Sequence, residues 1–164
     1  MAVANDVSSL RNHVSLPGQG RKESVLGTHH IFKLEAQHTG GAIGCIELTV
    51  PPGEGVPMHI HDREDELFYV VSGVVEIAGE GLEQPVRMER GSLFFGPRGR
   101  SHTFRNPGSE NALLIVVLTP GDNMQAMFGD LAALTGRSTG MPAPAEVGAL
   151  CAGYGITFVH NPAQ

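Results

Sequence analysis

Between Gly27 and Pro120 the chain is cut into short apolar runs, each bounded by Gly, Pro or Asn, and this punctuation constrains the fold more than any other feature. The runs HHIFKLEAQ, AIGCIELTV, ELFYVV, VVEIAG, SLFFG, SHTFRN and ALLIVVL are rich in β-branched and aromatic residues. Strands punctuated this regularly pack as a sandwich or close into a barrel. Ser72-Gly73, between two of the runs, predicts a tight hairpin turn, because glycine tolerates the positive φ that such turns often need. The two flanking strands are therefore expected to be antiparallel neighbours.

The segments on either side read differently. Residues 1–26 are polar, mix Asn, Ser, Gly and Pro, and keep no period of 2 or 3.6, so they are expected to form an N-terminal arm on a barrel over 27–120. Residues 121–164 are expected to form a helical tail. Asp122 is placed as an N-cap with Gln125 three residues on, and Met124, Met127, Phe128, Leu131 and Leu134 recur at helical spacing. That stripe reads as a core face packing on the barrel. A short helix over EVGALCAGYG and a last apolar run, ITFV, follow.

Composition narrows the function classes. A chain of 164 residues with 41% apolar side chains supports one domain and hence one site, and 22 glycines and 11 prolines fit many turns. The formal charge is −6 and the Lys and Arg residues are scattered, which leaves no electrostatic footprint for nucleic acid. No apolar run approaches the roughly 18 residues of a membrane span, and the N-terminal stretch has no continuous apolar core, so a cytoplasmic chain without a membrane partner is expected. Cys45 and Cys151 lie far apart with no Cys-x-x-Cys spacing and read as buried free thiols.

The chemistry is concentrated in Gly53–Gly73, GEGVPMHIHDREDELFYVVSG. His59 and His61 are two apart, so in a strand they share a face with Cα atoms about 6.5 to 7 Å apart. Two such imidazoles can share one ion at roughly 2.0 to 2.2 Å from each nitrogen. Glu66 opens the next apolar run, where an adjacent strand could return a carboxylate to the same spot. Two histidines and a carboxylate suit redox-active iron among other metals. Alternation from Glu66 sends Phe68 and Val70 inward and Leu67, Tyr69 and Val71 outward. In Gly91–Asn106, GSLFFGPRGRSHTFRN, Pro97 and Gly99 turn the chain before a strand that carries His102, with Phe104 and Asn106 on the same side. His102 is the fourth ligand candidate.

These two stretches resemble both signature motifs of the cupin superfamily. In the first, Gly53, His59, His61, Glu66 and Gly73 fall at the signature spacings, and in the second Gly91, Pro97, Gly99, His102 and Asn106 do. The sequence is further similar to quercetinase-like cupins through TGG at 39–41, ELTVPPG at 47–53, HDREDE at 61–66 and YGITFV near the end. The resemblance implies an all-β jelly-roll β-barrel, often dimeric, whose single divalent ion is held by His59, His61, Glu66 and His102. Open sheet edges also invite pairing, so a homodimer is expected.

Around that ion, iron, manganese, nickel, cobalt, copper and zinc are all compatible with nitrogen and oxygen donors. Three neutral imidazoles and one carboxylate leave the centre near +1, which suits an enolate, phenolate or carboxylate. Phe68, Val70 and Phe104 are expected to supply an apolar wall for a flat ring, with Met58, Leu93 and Phe95 as further wall candidates. Glu66 is expected to double as general base. The resulting expectation is a dioxygenase acting on a small enolic or phenolic, flavonol-like compound. A redox-neutral cyclase, isomerase or lyase of small-molecule biosynthesis and a non-enzymatic binding or sensing barrel are the alternatives. Asp62, Arg63, Glu64 and Asp65 read as a solvated loop, and Arg98 and Arg100 as exposed turn residues. His13, His29, His30, His38 and His160 carry no signature spacing, although an early strand could bring His29 and His30 to the barrel mouth.

Overall fold

Alternating burial runs through the expected strands, and in the computed structural model, which describes residues 9–159, they assemble into two antiparallel sheets. One sheet orders its six strands as β1 (Arg21–Val25), β2 (Thr28–Leu34), β3 (Gly44–Val50), β10 (Ala112–Thr119), β5 (Asp65–Ser72) and β8 (Leu93–Gly96). The other orders five as β11 (Ile156–Phe158), β4 (Gly55–His61), β9 (His102–Arg105), β6 (Val74–Gly79) and β7 (Val86–Glu89). From β3 onward nearly every connection crosses from one sheet to the other, the winding of a jelly roll. The inward positions of both sheets, among them Leu48, Val70, Leu114 and Val116 facing Val75, Ile77 and Phe104, form the core.

Several expectations change. The segment Ser72-Gly73 is a corner and not a hairpin, because β5 pairs with β10 and β8 while β6 pairs with β9 and β7. Gly73 has φ +75°, and a Cβ there would stand 2.7 Å from the Cα of Ala112, so the corner passes too close to the end of β10 for any side chain. Within the expected arm, Arg21–Val25 form β1, whose burial alternates against β2. Residues 1–8 of the arm, and His160, lie outside the described residues.

The tail is built around α2 (Asp122–Arg137) and α3 (Pro144–Gly153), after a single turn, α1 (Ala36–Thr39), earlier in the chain. Met124, Met127 and Leu131 of α2 are buried, as the apolar stripe predicts, and Val147 and Cys151 are the buried residues of α3. Asp122 is the first helical residue and makes no cap; Gly121 occupies that position, and the Gln125 side chain accepts a hydrogen bond from the Ala36 N–H instead. The run ITFV contributes β11, which pairs with β4 so that Ile156 lies opposite His61 and Phe158 opposite His59. The tail therefore completes the sheet as well as covering it. Cys151 is buried and Cys45 half-buried, and both are free thiols.

Asn106 shows how closely the corners are specified. It is fully buried, and its side-chain N–H groups donate to the carbonyls of Val50 and Glu110 while its Oδ1 accepts from the Gly108 N–H. Both side-chain N–H groups and the side-chain oxygen are engaged within the fold, so this signature residue holds loops together and leaves the chemistry to others.

Candidate metal centre

His59 and His61 project inward from β4 and are both buried. His102 on β9 lies in register with His59, so three imidazoles share one face of the five-stranded sheet. Glu66 reaches them from β5, in the facing sheet, and not from a neighbouring strand as the sequence suggested. Its Oε2 stands 3.0 Å from His102 Nε2 and 3.2 Å from His61 Nε2, and His59 Nε2 is 3.1 Å from His61 Nε2. One ligand atom from each of the four residues lies within 4.8 Å of all the others.

This donor set fits a divalent ion. Bonds of roughly 2.1 Å place neighbouring ligands about 3 Å apart when they meet at right angles, which is the spacing that the Glu66–His102, Glu66–His61 and His59–His61 pairs already have. His59 Nδ1 donates to the Pro57 carbonyl at 2.8 Å, a bond that leaves the lone pair on Nε2 facing the cluster. Burial pushes His59 down to about 4 and keeps it neutral, as a ligand must be. Burial also opposes charge on His61, but Glu64 and Glu66 outweigh it and raise that imidazole to about 9. On Glu66 burial acts upward, yet the hydrogen bonds from His102 and His61 hold the carboxyl well below its usual range. A cation would take over the place of the shared proton.

Glu64, expected in a solvated loop, has no exposed surface at all. Its Oε1 accepts a hydrogen bond from Asn123 Nδ2 at 2.7 Å, and its Oε2 faces His61 Nδ1 at 3.5 Å, an ion-pair distance outside hydrogen-bond geometry. The rest of the acidic run is at the surface or bound to it. Asp65 accepts both backbone and guanidinium hydrogen bonds from Arg98, so that arginine pins the Pro97–Gly99 turn to the start of β5. Arg100 pairs with Glu80. The sequence gives little warning of Glu64: its spacing of three from His61 fits a turn, but its acidic neighbours disguise it.

Of the wall candidates, Phe68 and Phe104 pack with ring centroids 5.1 Å apart and planes tilted by 59°, and the Phe68 ring lies 6.1 Å from His102. Val70 is buried one inward position further along β5. Leu93 and Phe95 face outward, 59% and 54% exposed, because Phe94 takes the inward position of β8 and sits 5.6 Å from His102. His29 is exposed and bonded to Ser24, and His38 stacks on His13. His30 is inside, its Nε2 2.9 Å from the Thr28 hydroxyl and its ring 4.7 Å from Phe128.

Burial drives His30 down to about 4, with His29 and Arg21 acting the same way and Glu66 against it. Because the unfolded chain holds this proton at higher pH than the folded chain, His30 contributes stability that is complete above about pH 6.5 and is lost as pH falls toward 4. Its full contribution is about 3 kcal/mol. In chemical melts across pH 4 to 7.5, His30→Leu should show a flatter acid limb than the parent; parallel limbs would contradict this assignment.

The Cupin domain family model matches residues 46–118. The polyketide synthase CurC of Streptomyces cyaneus is 36% identical over 82 residues, 49% of this chain and 52% of that protein, so the chain spans about half of that relative's length. The oxalate-binding protein of Thermotoga maritima is 27% identical over 101 residues, 62% of this chain and 78% of that one. Among solved structures, a predicted oxalate decarboxylase of Thermotoga maritima aligns with TM-score 0.60 at 20% identity over 65% of this chain and 98% of that one. KdgF from Halomonas sp. aligns with TM-score 0.60 at 19% identity over 69% and 99%. At such identities the structures speak for the fold alone. No helix among the described residues is long and apolar enough to cross a membrane. The matched residues 46–118 and the two-sheet roll give this chain the fold of a cupin domain, with His59, His61, Glu66 and His102 buried together inside it.

Proposed function

We propose that the protein is a mononuclear metal enzyme of the dioxygenase type, acting on a small enolic or phenolic compound with an apolar ring. The observation that carries this reading is the buried cluster of three imidazoles and one carboxylate beside an aromatic wall. When bound, a redox-active divalent ion would supply Lewis acidity and access to dioxygen. His59, His61, Glu66 and His102 would hold it. Phe68, Phe94 and Phe104 keep water from one side of the centre and offer face and edge contacts to a flat substrate ring. Glu66 sits between two imidazoles with its Oε2 directed at both, so it can receive a proton from an enol or phenol only by loosening one of those contacts.

The likeness to CurC, a polyketide synthase by name, favours a second reading in which the same ion polarises an enolisable carbonyl and the reaction is redox-neutral. Oxygen uptake separates the two. A panel of flavonols and small enolic acids should contain a compound that consumes dioxygen with iron, copper, nickel or manganese bound; product formation without oxygen consumption would transfer the assignment to the redox-neutral class. With that compound, Glu66→Gln should retain most of its metal while turnover per bound ion falls by roughly 10² to 10⁴. An unchanged rate per bound ion would remove the base role.

We also propose a homodimer. Leu93 and Phe95 lie on the outer face of edge strand β8, in register with Tyr69 and Leu67 of β5, and form an exposed apolar strip that a two-fold copy would cover. Light scattering over a dilution series should report about twice the monomer mass of 17.4 kDa. A constant monomer mass would reject it.

A further inference from the structure

The most unusual group outside the four ligands is Glu64, a carboxylate with no exposed surface on a loop that is otherwise polar and accessible. Taking a carboxylate out of water costs several kcal/mol unless partners compensate it. The neighbouring cations are engaged elsewhere, Arg63 by the Asn123 side-chain oxygen and Arg98 by Asp65. What Glu64 has is one hydrogen bond from Asn123 and the Nδ1 edge of His61 in front of its other oxygen. That Nδ1 is itself buried without a hydrogen-bond partner, as is the oxygen it faces.

We propose that Glu64 is the positioning residue of the metal centre and that, through Asn123, it makes the C-terminal tail a working part of that centre. The inference rests on the four-ligand assignment and extends it to Glu64 in the β4–β5 loop and Asn123 on α2. A metal on His61 Nε2 requires the proton on Nδ1, and it makes that N–H a stronger donor. Glu64 is the acceptor in place to receive it, fixing both the tautomer and the ring orientation. Asn123, in the first turn of α2, sets the carboxylate: its Nδ2 donates to Glu64 Oε1 and to the Tyr154 carbonyl, each at 2.7 Å. The Asp62 N–H donates to the Gly155 carbonyl at 2.8 Å, and Ile156 pairs opposite His61. Both tail helices therefore converge on the loop that orients one ligand. By reciprocity, an ion that tightens the His61–Glu64 contact must also tighten the docking of the tail.

The test measures affinity for Co²⁺ alone, by competition with a chromophoric chelator, in the full chain and in Glu64→Gln, Asn123→Ala and His102→Ala. Glutamine keeps an oxygen for Asn123 but presents an amide to His61 Nδ1. We expect Glu64→Gln to lose roughly 10- to 100-fold in affinity while the metal-free melting temperature does not fall. Asn123→Ala should lose less. Hydrogen exchange at residues 122–126 and 154–156 should slow on Co²⁺ binding in the parent and remain unchanged in Glu64→Gln. A parent-like affinity in Glu64→Gln, with His102→Ala impaired, would overturn the role of Glu64 and leave the four-ligand centre standing. Parent-like affinity in both would overturn the centre and this inference together. Should Glu64→Gln fail to fold, exchange in the parent decides: no slowing on Co²⁺ overturns the proposal.

Discussion

One contact governs the rest of this structure: a carboxylate from one sheet meeting imidazoles from the other inside a roll of apolar side chains. Glu66 lies on β5 and its hydrogen-bond partners His61 and His102 lie on β4 and β9, so the site exists only when the two sheets are closed face to face. The jelly-roll crossings bring this about. They alternate the chain between sheets, and the corner at Gly73 is one such crossing, tight enough to exclude a side chain. Buried polar groups of this kind are costly without partners, and here each side chain supplies part of what the next requires.

Much of this was legible in the sequence, for a definite reason. Strand period 2 puts His59 with His61, Glu66 with Phe68 and Val70, and His102 with Phe104 and Asn106 on single faces, and the structure buries all of them. The motif spacings did the remainder for the cluster of His59, His61, Glu66 and His102. Less legible was anything that depends on which strands become neighbours. Ser72-Gly73 has the composition of a hairpin, and only the pairing of β6 with β9 shows it to be a corner. In the same way, Leu93 and Phe95 read as wall candidates in the sequence, whereas the phase of β8 turns Phe94 inward.

Glu64 and Asn123 were invisible for another reason. A charged residue among Asp62, Arg63 and Asp65 has every local mark of a solvated loop, and its burial arises from a helix that begins some sixty residues later. Tertiary context overrode local polarity. The tail, which the sequence presented as a helical appendage, also adds β11 beside the strand that bears His59 and His61.

In the proposed centre, one divalent ion is held by His59, His61, Glu66 and His102. X-ray absorption at the metal edge, on protein loaded with one equivalent of Co²⁺, tests it most directly. The expected spectrum has a first shell of nitrogen and oxygen near roughly 2.1 Å with the outer-shell scattering of three imidazoles. Sulfur in the first shell, or scattering from one imidazole or none, would contradict it.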